Sequence, residues 1–207
     1  MMAVVGLTAT AAADSVTAAG KKKPPGVNIC ALPSASELMA AQIVGPCRKG
    51  KTSVQAPRHS PLGGTSGSVL YKGAWGSPTG PSHSLTVIVM HLTGSGKALA
   101  LAEQIFRGRV LAHGAHVALG KGAFSSTYSE TFACPNPPTG DCTNGSFLAI
   151  KPGWFVEVFL TGYPPTIPGA SEEEAGSEVN DEAEDRKQEE QLEVPLKALG
   201  KSVATKV

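Results

Sequence analysis

Four cysteines in two local couples constrain this chain more than any other feature. Cys30 and Cys47 have sixteen residues between them and Cys134 and Cys142 have seven, in a chain of 207 residues that holds no other cysteine. Four thiols allow three connectivities. The local one is expected: Cys30–Cys47 would close over a helix start, and Cys134–Cys142 over FACPNPPTGDC, whose prolines and glycine already turn the chain back on itself. In the chain-entropy description each such loop contributes about 2.5–3 kcal/mol. Zinc, the rival use, wants C-x₂₋₄-C couples or interspersed histidines, and these spacings do not match. Oxidised couples of this kind persist outside the reducing cytosol, so the chain is expected to be secreted or associated with the cell envelope.

The rest of the composition bounds the fold. Hydrophobic residues make up 41% of the chain, enough to bury one core of ordinary domain size, while Gly (24) and Pro (16) assign much of the length to turns. Residues 28–207 read as one domain and residues 1–27 as a signal remnant or disordered leader, in which Ala11-Ala12-Ala13 before Asp14 resembles a small-residue cleavage site. No window approaches 18 consecutive apolar residues, so no spanning helix is expected. The net charge of +1 conceals an asymmetry: residues 1–171 carry 13 Lys/Arg against 6 Asp/Glu, and residues 172–207 carry 5 against 11. The acids form an acidic segment at 170–190 that reads as solvated. The bases are scattered apart from Lys21-Lys22-Lys23 and Arg48-Lys49-Gly50-Lys51, which argues against a nucleic-acid partner.

Periodicity then supplies elements. Ser34 as N-cap with Glu37 in the capping-box position starts a helix expected to run to Val44, where Gly45-Pro46 stops it. Residues 48–67 read as a mobile loop. Strands are expected at 69–75 and at 85–92, whose β-branched run suits a central strand with both faces covered. Residues 97–113 read helical, with Leu99, Ala102, Ile105, Phe106 and Val110 inward. A strand near 123–129 and a hairpin of 147–151 and 154–161 about Pro152-Gly153 follow. A last helix over 181–206 carries Leu192, Leu196, Leu199 and Val203 on one stripe, and Pro195 is expected to kink or restart it. The expected class is α+β: an antiparallel sheet with helices packed on one face, in two weakly repeated helix-hairpin halves.

Several of these stretches together resemble a known group. CALPSASEL (Cys30–Leu38), a second cysteine soon after, a strand ending at Trp75, VALGKGA (Val117–Ala123) and the closing LKALGKSV (Leu196–Val203) look like the exported actinobacterial domains of unknown function. Those are similar in turn to the extracellular sensor domain of a mycobacterial Ser/Thr kinase. The resemblance spans roughly residues 28–207, and the chain departs from it in lacking a lipobox and in carrying the acidic segment. It implies an α+β envelope domain with structural disulfides, a ligand cleft and no established catalysis.

Motifs for chemistry are sparse. Gly94-Ser95-Gly96-Lys97 fails the phosphate-loop pattern at His91 and Ala98, leaving a strand-to-helix turn. His113 and His116 lack an acidic helix partner for a metal site. Glu130 and Glu157 are a conceivable carboxylate couple, but nothing in their spacing makes them face each other, and Glu157 reads as outward and solvated between Val156 and Val158. No catalytic residue, metal or cofactor is assigned. The expected activity is binding of an unassigned small ligand or envelope protein, with Tyr71, Trp75, Trp154 and Phe155 as candidate groove residues. The alternatives are a secreted hydrolase, or an interaction factor whose acidic segment docks a basic partner.

Overall fold

A computed structural model of the chain describes residues 26–76, 83–112, 115–119, 123–133, 141–162 and 178–207. After a 3₁₀ turn at Ile29–Ala31 come α1 (Ala35–Ala40), β1 (Arg48–Lys49), β2 (Ser53–His59), β3 (Thr65–Trp75) and β4 (Ser84–Ser95). They are followed by α2 (Gly96–Ala112), β5 (Ala115–Ala118), β6 (Phe124–Ala133), β7 (Asp141–Lys151), β8 (Trp154–Gly162) and α3 (Glu178–Lys206). The class is α+β, as expected.

The strands form one antiparallel sheet in the order β1-β3-β4-β8-β7-β6-β5, with β2 continuing the column of β1 along the outer edge of β3. Two meanders therefore meet at their last strands, β4 against β8, in the register Ile88↔Glu157. The β-branched run of β4 does sit centrally, between β3 and β8. Its odd positions Leu85, Val87 and Val89 are buried in the larger core, and Met90 packs into the smaller one behind.

Helices cover both faces of the sheet, which corrects the one-face expectation. Leu192, Leu196, Leu199 and Val203 of α3 share the larger core with Phe147, Ala149, Val156 and Val158, and Leu38 of α1 packs against the same cluster. On the opposite face Val110 and Phe106 of α2 meet Leu148, Ile150 and Phe155. The neighbours Phe147/Leu148 and Phe155/Val156 point to opposite sides by the two-residue period of a strand. Burying the four aliphatic side chains of α3 is worth about 6–12 kcal/mol in transfer free energy. Since the helices that open the two halves lie on opposite faces, the halves are not copies of one arrangement.

Three further expectations are revised. Residues 48–67 are not a loop: they supply β1, β2 and the start of β3. Every residue of β2 is exposed, so no alternation marks it; it is held by backbone pairing from Ser53↔Leu70 to His59↔Thr65. Pro57 falls in the register shift between Gln55 and Arg58, where a missing N–H costs no ladder bond. Helix α1 has its capping box, Glu37 N donating to Ser34 Oγ at 3.2 Å and Ser34 N to Glu37 Oε2 at 2.7 Å. It ends at Ala40 rather than Val44, because Gln42 already stands in the left-handed region at φ 54°. Helix α3 runs continuously through Pro195. The carbonyl that proline leaves without a donor, at Gln191, belongs to an exposed residue, and the apolar stripe docks on the sheet on both sides of the break point.

The Cys30–Cys47 bridge is present, with Cα atoms 5.6 Å apart, and ties the 3₁₀ turn to the residue before β1. Cys134 lies outside the described residues, so the second expected bridge does too; Cys142 is buried in β7. The leader 1–25 and the acidic residues 170–177 lie outside them as well, and from Glu178 onward the acidic stretch is the first part of α3.

Candidate ligand cleft

The hairpin of β7 and β8 creates the most distinctive site. Its two-residue turn, Pro152-Gly153, places Gly153 at φ 78°, a conformation that glycine takes without penalty. The turn is held from two sides: Gly153 N donates to Glu103 Oε1 of α2 at 2.8 Å, and Leu92 N of β4 donates to the Gly153 carbonyl at 2.8 Å. The flanking pair Lys151↔Trp154 faces α3.

Beneath the last turn of α3 lies a cleft of about 220 Å³, lined by Leu119, Ala123, Ala149, Ile150, Lys151, Trp154, Val156, Ala204 and Thr205. Ala149 and Val156 form the floor on the sheet, and Ala204 and Thr205 the roof. Leu119, whose N–H donates to the Ala123 carbonyl at 3.2 Å, closes one side. The wall side chains are mostly apolar, with polar surface among them. Lys151 is the one charged residue among them; burial pulls its ammonium below the ordinary lysine range, and its Nζ donates to the main-chain oxygen of Val207. Thr205 Oγ1 donates to the Ser202 carbonyl at 2.9 Å.

Trp154 is braced from behind by His91 of β4, ring centroids 4.3 Å apart and planes tilted by 32°. Burial holds His91 below its ordinary pKa, and its Nδ1 is buried without a hydrogen-bond partner among the described residues. Next to the cleft, Lys206 Nζ donates to the Leu32 carbonyl at 2.6 Å and lies 3.7 Å from Glu37. Burial pulls the Glu37 carboxyl up, but the Ser202 and Ser34 hydrogen bonds and the Lys206 charge outweigh it and hold the group below its ordinary value.

Of the four aromatic residues read as a groove, the structure brings one to the cleft. Tyr71 and Trp75 point to the same sheet face as Trp154 but are sealed in the larger core at 6% and 3% exposure, and burial pushes the Tyr71 phenol up. Phe155 points the other way, against Phe106 of α2 at 4.7 Å. Pleating alone separates it from Trp154. Lys151, Leu119 and Thr205 were not singled out by sequence; a lysine beside a Pro-Gly turn with a tryptophan on its far side is the signal that was there to be read.

The other motifs resolve locally. Glu157 is not a solvated carboxylate: it faces α2 and pairs with Arg109 at 3.1 Å. The side chains of Glu130, His113 and His116 lie outside the described residues. Gly94–Lys97 is the turn from β4 into α2, as expected, with Gly94 at φ 133° against the Thr65 carbonyl. Among the described residues no three His, Cys, Asp or Glu side chains converge as metal ligands, and no helix is long and apolar enough to cross a membrane. No protein-family model matches the chain, and no curated protein or solved structure is detectably similar to it.

Proposed function

We propose that this chain is a non-catalytic binding domain working outside the reducing cytosol, in a secreted or cell-envelope setting, and that the cleft at the β7–β8 hairpin is where it binds. The observation that carries the reading is the cleft itself: a small hollow with mostly apolar side chains, a tryptophan wall and one charged side chain, the mixture of apolar walls and few polar groups that small-ligand sites use. Binding is favoured over hydrolysis because the lining offers one threonine hydroxyl, already donating to Ser202, and no acid or imidazole beside it. The Cys30–Cys47 bridge supports the extracytoplasmic setting, as does the resemblance to exported actinobacterial domains.

Binding is tested by titrating small apolar compounds while following tryptophan emission. Trp75 is buried, so a saturable change reports Trp154. Ala204→Leu, which fills the roof of the cleft, is expected to abolish that change, with the folded state of the variant checked by thermal unfolding because Ala204 also belongs to the larger core. Absence of any saturable response in the wild type, or an undiminished response in Ala204→Leu, overturns the cleft. The setting is tested by intact mass of natively produced protein without reductant: four alkylated sulfurs would refute export.

A further inference from the structure

Helix α2 turns an apolar surface outward. Its inner side, along Ala98, Phe106 and Val110, is spent on the sheet, yet Leu101, Ile105 and Leu111 stand outside at 41%, 62% and 46% exposure. At about 100° per residue all three fall in the outer half of the helix. No acid shares that half: Glu103, the one carboxylate of α2, turns toward the hairpin and accepts from Gly153 N.

Cations gather on the same face of the molecule. Lys97 and Arg107 are exposed on the helix itself, Arg107 with its guanidinium 4.8 Å from the ring centre of Phe124. In the sheet, Leu70 is registered with Met90, which packs into the core under α2. The two-residue alternation of β3 sends Lys72 to that face, and with it Arg48, paired with Ala74, and Arg58, paired with Ser66. These three side chains are exposed as well. Helix α2 begins at this corner, Ala98 N donating to the Gly63 carbonyl at 3.1 Å. From residue 38 to residue 102 the sequence has no Asp or Glu. Among the described residues the ion pairs are Arg109–Glu157, Lys197–Glu193 and Lys206–Glu37, so none of these cations has an acid partner there.

We infer that this face docks on an anionic lipid surface, with Leu101, Ile105 and Leu111 seated at the boundary of headgroups and acyl chains and the cations turned to the headgroups. A basic amphipathic helix lying in the interface plane joins the two attractions, apolar burial and charge. Charge complementarity selects this occupant over a second copy: two such faces set together would confront Lys97 and Arg107 of both copies with no acid to offset them. The cations set back on the sheet edge need no contact, because the lipid field reaches about 8–10 Å at ordinary salt. The inference does not rest on the cleft, which lies on the opposite face under α3 and would be turned away from the lipid.

The test is flotation of the full chain with vesicles of phosphatidylcholine alone and of phosphatidylcholine with an equal part of phosphatidylglycerol, at about 20 mM and about 500 mM NaCl. Each base near an anionic surface is worth about fivefold in affinity. The mixed vesicles are expected to bind at low salt at least about tenfold more tightly than the neutral ones, and to lose the chain at high salt. Arg58→Gln/Lys97→Gln is expected to weaken binding about twenty-fivefold. Leu101→Gln/Ile105→Gln, which keeps good helix formers on α2, is expected to weaken it at least about tenfold. Val194→Gln, at a position 73% exposed on α3, is expected to bind as wild type does. Thermal unfolding checks that each variant is folded. Failure to bind the mixed vesicles at low salt, equal binding to both compositions, or undiminished binding by Arg58→Gln/Lys97→Gln overturns the lipid surface. Undiminished binding by Leu101→Gln/Ile105→Gln makes the face a purely electrostatic one for acidic partners and overturns the lipid seat. A concentration-dependent dimer without vesicles, dissolved by Ile105→Gln, gives the face to a second copy and overturns it too.

Discussion

Gly200 offers a sharp test of how α3 sits on the sheet. It lies in the buried face of the helix, and a Cβ built there would stand 2.1 Å from Cγ, 2.2 Å from Cδ1 and 2.6 Å from Cδ2 of Phe147, itself only 1% exposed. Carbon atoms normally approach to about 3.5–4.0 Å. Three ring atoms near the root of the side chain are involved, so turning the ring does not relieve the overlap; the helix must lift from β7 or Phe147 must leave its rotamer. Overpacking of this severity belongs at the upper end of the usual range, about 3 kcal/mol. Against it stands the gain in helix propensity from Gly to Ala, about 1 kcal/mol. Gly200→Ala is therefore expected to lose about 2 kcal/mol net, with a fall in Tm of about 4–8 °C for a chain of this size. Gly108→Ala is the matched control: it is also mid-helix, in α2, but nothing lies within 4 Å of its Cβ position, so only the propensity term acts and the variant gains up to about 1 kcal/mol. Urea unfolding of both variants measures the difference. A Gly200→Ala variant as stable as wild type refutes the close packing of α3 on Phe147.

The Cys30–Cys47 bridge spans 17 residues, and removing it as the Cys30→Ser/Cys47→Ser pair is expected to cost about 3 kcal/mol, or about 6–12 °C in Tm, by thermal unfolding; an unchanged Tm contradicts a structural role. Ser34→Ala removes the acceptor for Glu37 N and is expected to cost about 1 kcal/mol by urea midpoint, whereas a neutral result means the capping box carries no net stability. His91 has a folded pKa below its ordinary 6.5, so between the two values the unfolded chain holds more protons, and stability drops as pH falls from 6.5 through the folded value. His91→Phe keeps a ring against Trp154 and should flatten that acid-side loss when urea midpoints are compared at about pH 7 and about pH 5; an identical slope in the variant shows that His91 does not cause it.

What was legible in the sequence follows the strength of the physical signal at each place. The capping box at Ser34, the aliphatic run of β4, the Pro-Gly hairpin and the Leu/Val stripe of α3 are local patterns with one structural solution each, and all are found. Strand β2 was illegible because an edge strand exposed along its whole length needs no hydrophobic alternation; only its partner β3 defines it. Ile105 was read as inward from its spacing with Phe106 and Val110, yet it is 62% exposed, since α2 meets the sheet along Ala98, Phe106 and Val110 and leaves its other apolar side chains outside. The placement of α2 on the face opposite α3 was equally hidden, because amphipathicity says which side of a helix is covered and not which side of a sheet covers it. At the cleft, four aromatic residues were candidates, and the sheet's pleat and its core kept only Trp154 there. Lys151 was invisible because its significance lies in the company of Leu119, Ala204 and Thr205, which are distant in sequence.

The pairing of β4 with β8 has a consequence for how the chain is made. Ser84–Ser95 is synthesised about sixty residues before Trp154–Gly162, roughly 3–12 s at ordinary translation rates. Through that interval the most aliphatic strand of the molecule has one backbone edge open and lacks its cover from α3, since Leu192–Val203 arrives last of all. A nascent or truncated chain ending before the hairpin therefore leaves the β8-facing edge of β4 without its partner strand.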